Sequence, residues 1–196
     1  MTSSALVQLP SWAPPATPEL TTQSIGLNRD GELYIYGPTP QAPGPTVPSI
    51  VGLAVDLEVV QLATTDATQG GRDYLRLTLM TGIPGERLAL QLPCNERISP
   101  TTGQATTPSH VRSLLSGLQR LDLVSEAFKL QTKRGTRAYA GVFFRVIPIH
   151  SGEELPEIIT PILGRTRSDL EIAVNGLRQA LGLPPQFTSP YDELRS

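Results

Sequence analysis

Over residues 136–147 the chain alternates two kinds of chemistry. In TRAYAGVFFRVI, Arg137, Tyr139, Gly141, Phe143 and Arg145 share one side of an extended strand, and Ala138, Ala140, Val142, Phe144 and Val146 share the other. The aliphatic side is core material. The opposite side combines positive charge, which displaces the counterions condensed on a phosphate backbone, with rings on which unpaired bases stack. Upstream, Tyr74 and Arg76 alternate with Leu75, Leu77 and Leu79, and Arg87 precedes the set Leu88, Leu90 and Leu92, so a second strand pair turns similar groups outward. Lys129 belongs to the strand before the last, and Lys133 and Arg134 fall in the KRG turn expected between the two. The candidate binding set is Tyr74, Arg76, Arg87, Lys129, Lys133, Arg134, Arg137, Tyr139, Phe143 and Arg145.

Bond-making chemistry finds no such support. The one glycine-flanked run, GTRAYAG, lacks the GK[ST] ending that brings a lysine to phosphate, and it lies in a strand pattern. Cys94 has no histidine nearby in sequence, and His110 and His150 do not complete a zinc ligand set with it. Glu153, Glu154 and Glu157 read as a solvated acidic loop, and Ser113 and Ser116 lack a G-x-S-x-G context. The expectation is a non-enzymatic protein with no catalytic residue, no metal and no cofactor.

Charge is distributed unevenly. The net charge is −2, but residues 1–71 carry −5, residues 72–145 carry +6 and residues 146–196 carry −3. A basic block between acidic flanks marks an electrostatic footprint, and it also allows the flanks to compete for the basic face. A single cysteine cannot form an internal disulfide, the first twenty residues lack the pattern of a secretory signal, and no apolar run approaches the roughly 18 residues that span a bilayer. A cytoplasmic location away from membranes is expected.

With 19 prolines, 17 % charged and 5 % aromatic residues, the chain reads as a compact core with extensions. Residues 1–22 form a Pro-rich tail holding Trp12, which either anchors a partner or packs on its own domain. Residues 23–49 hold a hairpin turning at Asp30-Gly31 and a Pro-rich linker, with five prolines between Pro38 and Pro48. Residues 50–148 form the domain itself. The composition changes from Ile50; a long strand covers 51–64, with a bulge expected near Val59 and Val60, and a hairpin covers 73–93. A polar surface loop follows over 93–107. Thr107-Pro108 then cap a helix whose stripe is Val111, Leu114, Leu115, Leu118 and Leu121, and two more strands close the unit. In the extension 149–196, Thr166 and Asp169 form a capping box for a helix over 166–181, stopped by Gly182 and Pro184 and followed by a frayed tail.

Strand, strand, strand, helix, strand, strand over 50–148 resembles the OB-fold family, and more loosely its single-stranded DNA-binding members. The resemblance implies a mainly β protein with two helices, built as a five-stranded OB-like Greek-key barrel with an N-terminal hairpin and a C-terminal helix. It implies a single-stranded DNA or RNA ligand on the basic and aromatic strand face. Because the chain ends DELRS, the family's recruitment of partners through an acidic, hydrophobic-ended tail is not implied. The competing reading is an accessory or assembly factor whose barrel and extensions dock a protein partner through the Trp12 region or the C-terminal helix. Phe143 exposed beside Tyr139 would suit a twofold mate, so a homo-oligomer is expected.

Overall fold

In a computed structural model the described residues are 20–37, 44–62, 71–98, 103–135, 141–153 and 166–188. They form a mainly β structure with two helices, built on a strongly curled half-barrel sheet. The strands are β1 (Thr21–Leu27), β2 (Leu33–Ile35), β3 (Thr46–Val47), β4 (Ile50–Leu62), β5 (Arg72–Met80), β6 (Glu86–Pro93), β7 (Arg97–Ile98), β8 (Ala105–Thr106), β9 (Phe128–Arg134) and β10 (Val142–Pro148). The helices are α1 (Ser109–Leu118) and α2 (Arg167–Ala180). Instead of five strands, the main sheet has eight, in the order β10-β9-β4-β5-β6-β1-β2-β3. Among the described residues, no helix is long and apolar enough to cross a membrane.

The curl originates in β4. Its first three residues pair with β9, and from Leu53 onward it pairs with β5, so one strand belongs to two parts of the sheet. Gly52 sits at the exchange, where a Cβ would lie 2.7 Å from the Met80 carbonyl oxygen, a backbone approach that only glycine permits. The irregularity in the β4–β5 ladder falls between Ala54 and Asp56, not near Val59 and Val60 as the sequence suggested. Both register on one ladder, with Val59 inward and Val60 outward. Leu75, Leu77 and Leu79 of β5 and Leu90 and Leu92 of β6 fill the interior, as their alternation predicts.

Helix α1 occupies the gap between the sheet's two arms. Its Val111, Leu114, Leu115 and Leu118 are buried, and Gly117 lets Val146 of β10 approach closely. On the edge of β10 turned away from β9, the Ser113 hydroxyl accepts from the Phe144 N–H at 2.9 Å and the Ser109 hydroxyl donates to the Val142 carbonyl at 3.1 Å. At its start, the buried His110 ring donates from Nε2 to the Pro93 carbonyl of β6 at 3.1 Å. Side chains of α1 thus satisfy a strand edge that would otherwise be open. The helix begins one residue later than expected: Pro108 holds the cap position with no side-chain cap bond, while Thr107 is buried. Leu121 lies past the helix end, in the turn that follows.

Helix α2 packs against β4 and touches α1. Its Thr166–Asp169 capping box is present, and at the far end the Gly182 N–H donates to Gln179 and the Leu183 N–H to Arg178, a Schellman termination with Gly182 at φ 73°. Leu170, Ala173, Val174 and Leu177 join the same core as the sheet. Of the tail expected to fray, residues 184–188 are described and are tied down at Gln186 and Phe187, while the rest lies outside the described residues. The Gln186 side chain accepts from the Val59 N–H at 2.7 Å and donates to the Val59 carbonyl at 2.5 Å, completing the β4 edge that β9 leaves unpaired, and Asn175 holds the backbone of Gln186 and Phe187.

The N-terminal hairpin enters the sheet directly. Asn28 Oδ1 accepts from the Asp30 and Glu32 amides and Gly31 takes φ 83°, which fixes the turn read at Asp30-Gly31. From there β1 runs parallel to β6, with Thr21 opposite Glu86 and Ile25 opposite Leu90. Within the expected loop 93–107, β7 and β8 form a short ladder. The KRG segment is not a turn: Lys133 and Arg134 are laddered against Phe143 and Val142, and the Gly135 N–H bonds the Gly141 carbonyl.

Candidate nucleic-acid interface

Register assigns each side chain to a face. Leu75, Leu77, Leu90 and Leu92 point inward, so Tyr74, Arg76 and Met80 of β5 and Arg87 and Gln91 of β6 point outward. The parallel ladder continues this outer row to Thr22 and Ser24 of β1, and the β1–β2 ladder carries it from Gly26 to Tyr34. On the other arm, Phe128, Leu130, Phe144 and Val146 are buried, leaving Lys129, Gln131 and Lys133 of β9 and Phe143 and Arg145 of β10 outward.

Tyr74 is half-buried on the outer face opposite Val60 and Pro93. Arg76 donates from Nε at 2.9 Å and Nη2 at 2.6 Å to Oε1 of Glu58 on β4, so much of its charge is spent within the sheet. Arg87 stands opposite both Met80 and Thr22. Lys129 sits between Ile147 and Val51, and Lys133 and Arg134 are exposed at the end of β9. Phe143 and Arg145 are half-buried beside Lys133 and Gln131. Lys133 and Arg145 are each already engaged with a neighbouring group. Arg137 and Tyr139 lie outside the described residues, as do Trp12, Glu154 and Glu157.

Two tyrosines missing from the sequence-derived set join this surface. Tyr34 and Tyr36 have ring centroids 5.0 Å apart at 49°. The Tyr34 ring lies over Gly26, where a Cβ would meet ring atoms at 2.7 Å, so glycine is what lets the ring rest on the strand backbone. Burial, a hydrogen bond with Tyr34 and the nearby Tyr34 and Tyr74 phenols push the Tyr36 phenol well above the usual tyrosine range. Tyr36 is 40 % exposed, so it remains open to solvent on this surface. The clue in the sequence is the alternation in LYIY beside the glycine of SIGLN.

Acidic groups of the sheet are paired in part with cations of the C-terminal extension. Arg167 Nη1 bonds Asp73 at 2.6 Å and Arg178 Nη1 bonds Asp56 at 2.9 Å, so at these contacts the net-acidic flank meets the sheet through its arginines. Cys94 is buried, and burial pushes its thiol up to about 11, which keeps it protonated and unreactive. His110 donates its Nε2 proton to the Pro93 carbonyl next to Cys94 in sequence and is held down at about 4 by burial. Among the described residues, no group of three or more His, Cys, Asp and Glu side chains is placed to hold a metal ion. No family model, curated protein or solved structure matches this chain.

Proposed function

We propose that this protein binds single-stranded nucleic acid on the outer face of the curled sheet, without catalysing a reaction, and that β4, β5, β6, β9 and β10 form an OB-like unit to which the hairpin and α2 are added. The neighbour order β10-β9-β4-β5-β6, with α1 between β6 and β9 in sequence, supports the OB-like reading. The observation that carries the function is that rings and cations share one outer surface: Tyr34, Tyr36, Tyr74 and Arg87 on one arm, Lys129, Lys133 and Phe143 on the other, while Arg134, in register with Val142, falls on the opposite face of β9. Cations supply affinity without sequence preference, and rings select unpaired bases over duplex. A protein-docking role for the same face is the second reading, favoured by the exposed Val51 and Met80 between Lys129 and Arg87.

The deciding experiment is fluorescence anisotropy of the full chain with labelled oligo-dT and oligo-U at stepped salt, with a duplex of equal length as comparator. Single-strand binding that weakens as salt rises, and exceeds duplex binding, supports the proposal. Absence of binding at low salt rejects it and leaves the docking reading.

A further inference from the structure

Beside Tyr36 the sheet opens into a cleft of about 470 Å³, within the range of about 300–1,000 Å³ typical of small-molecule sites. Its lining includes Thr21, Thr22, Gln23 and Ser24 of β1 with Tyr36 and Glu86. Three hydroxyls and a side-chain amide provide neutral hydrogen-bonding groups. The one residue in the lining that carries charge is a glutamate, so the cleft disfavours a phosphate. A ring, neutral donors and acceptors, and no cation are what a base with its sugar requires. The phosphate has a partner just outside: Arg87 is in register with Thr22, on the outer face. Among the described residues Arg87 has no ion pair, in contrast to Arg76, which Glu58 holds.

Resting on the single-strand reading, we infer that this cleft is a nucleotide subsite: Tyr36 stacks the base, the outward Thr22 and Ser24 hydroxyls bond its edge or sugar, and Arg87 receives the adjoining phosphate. The N-terminal hairpin is then part of the ligand site and not an appendage, because β2 brings Tyr36 to β1 and the parallel β1–β6 ladder brings β1 to Arg87. The Tyr36 N–H bond to the Ser24 carbonyl, 2.9 Å, fixes the ring's place at the cleft mouth. Tyr34, leaning on Gly26, backs it.

The test uses two probes on the full chain: an oligo-dT and a chain of the same length whose central nucleotides are abasic, so that phosphates remain and bases do not. Wild type should prefer the intact oligonucleotide by at least about 5-fold, the lower end of one stacked base. Tyr36→Ala should erase that preference and Tyr36→Phe should keep it, while Arg87→Ala should weaken both probes alike and flatten their salt dependence. Equal binding of both probes by wild type, or an intact preference in a folded Tyr36→Ala, overturns the subsite but leaves single-strand binding standing. Failure of every oligonucleotide to bind removes both.

Discussion

The two arms of the sheet turn outer faces of different chemistry to solvent. On β9–β10 the described face is cationic, with Lys129, Lys133 and Arg145 on the same side as one ring, Phe143, which stands opposite Lys133. On β5–β6–β1–β2 it is aromatic and hydroxyl-rich, with Tyr34, Tyr36 and Tyr74, and its Arg76 is committed to Glu58. Under the proposed function, the cationic arm would carry most of the salt-dependent part of binding, and the aromatic arm, with Arg87 beside it, most of the base-dependent part. A sequence window that mixes charge and rings, such as residues 136–147, suggests a single groove, whereas the described rings and cations are spread over two arms.

The arms are tied to each other through α1, so the largest effect should come from loosening it. His110 bridges α1 to β6 while Ser109 and Ser113 bridge it to β10. Its imidazole is neutral in the fold because burial holds it at about 4, against about 6.5 in the unfolded chain. The proton therefore prefers the unfolded state. Stability is complete above about pH 6.5 and falls as pH drops toward 4, by up to about 3 kcal/mol from this one group. Arg97, whose charge also disfavours the imidazolium, acts in the same direction. Urea melts at pH 7.5, 6, 5 and 4 should show that loss, and His110→Gln, which retains an N–H donor, should flatten its own pH dependence over this window. A wild-type stability unchanged from pH 7 to 4 would mean that the α1 seam does not hold the arms as described.

A smaller effect separates the arms themselves. Lys129→Ala with Lys133→Ala removes two outward cations from the β9 side and touches no tyrosine. Affinity should fall several-fold at moderate salt, and the slope of log affinity against log salt should shrink by about 0.7 for each cation lost. Preference for an intact over an abasic strand should persist. If that preference vanishes as well, the arms do not divide the work.

How much of this was legible in the sequence depends on the range of the contact. The β5–β6 hairpin, the α2 capping box and the inward leucines follow from local period and local chemistry, and residues within ten positions of each other specify them. The parallel ladder of β1 on β6 does not. Thr21 and Glu86 are far apart in the chain, and nothing in TTQSIGL distinguishes a strand that pairs with its neighbour from one that also pairs with β6. For that reason Tyr34 and Tyr36 were readable as strand residues but not as neighbours of Arg87 on one face, which is what the proposed site requires. Ser109 and Ser113 present a similar case. They carry no catalytic context, and their role, satisfying the β10 edge, exists only once the helix lies along it. Lys133 and Arg134 read as a turn because Lys-Arg-Gly is polar and ends in glycine, yet β9 continues through them since Phe143 and Val142 supply ladder partners. The bulge in β4 was displaced as well: Val59 and Val60 stay on one ladder, and the register shift lies near Ala54, just past the residue at which β4 changes partner from β9 to β5.

The smallest expected change sharpens the contrast from the aromatic side. Glu58 accepts both the Nε and Nη2 protons of Arg76, with the two side chains 35 % and 26 % exposed for arginine and glutamate respectively. A pair at this depth is partly screened and contributes on the order of 0.2–1 kcal/mol to stability. Glu58→Gln should therefore cost little in folding. It also removes a negative charge from the face that carries Tyr74 and releases the full charge of Arg76 toward a phosphate. Oligonucleotide affinity should rise about two- to threefold at low salt, the salt slope should steepen by about 0.7, and the discrimination between intact and abasic strands should stay where it was. An unchanged slope would place the phosphate path away from Arg76 and leave Arg87 as the cation serving the aromatic arm. A weakened affinity in a folded variant would show that the orientation Glu58 imposes on Arg76 matters more to the ligand than the charge it cancels.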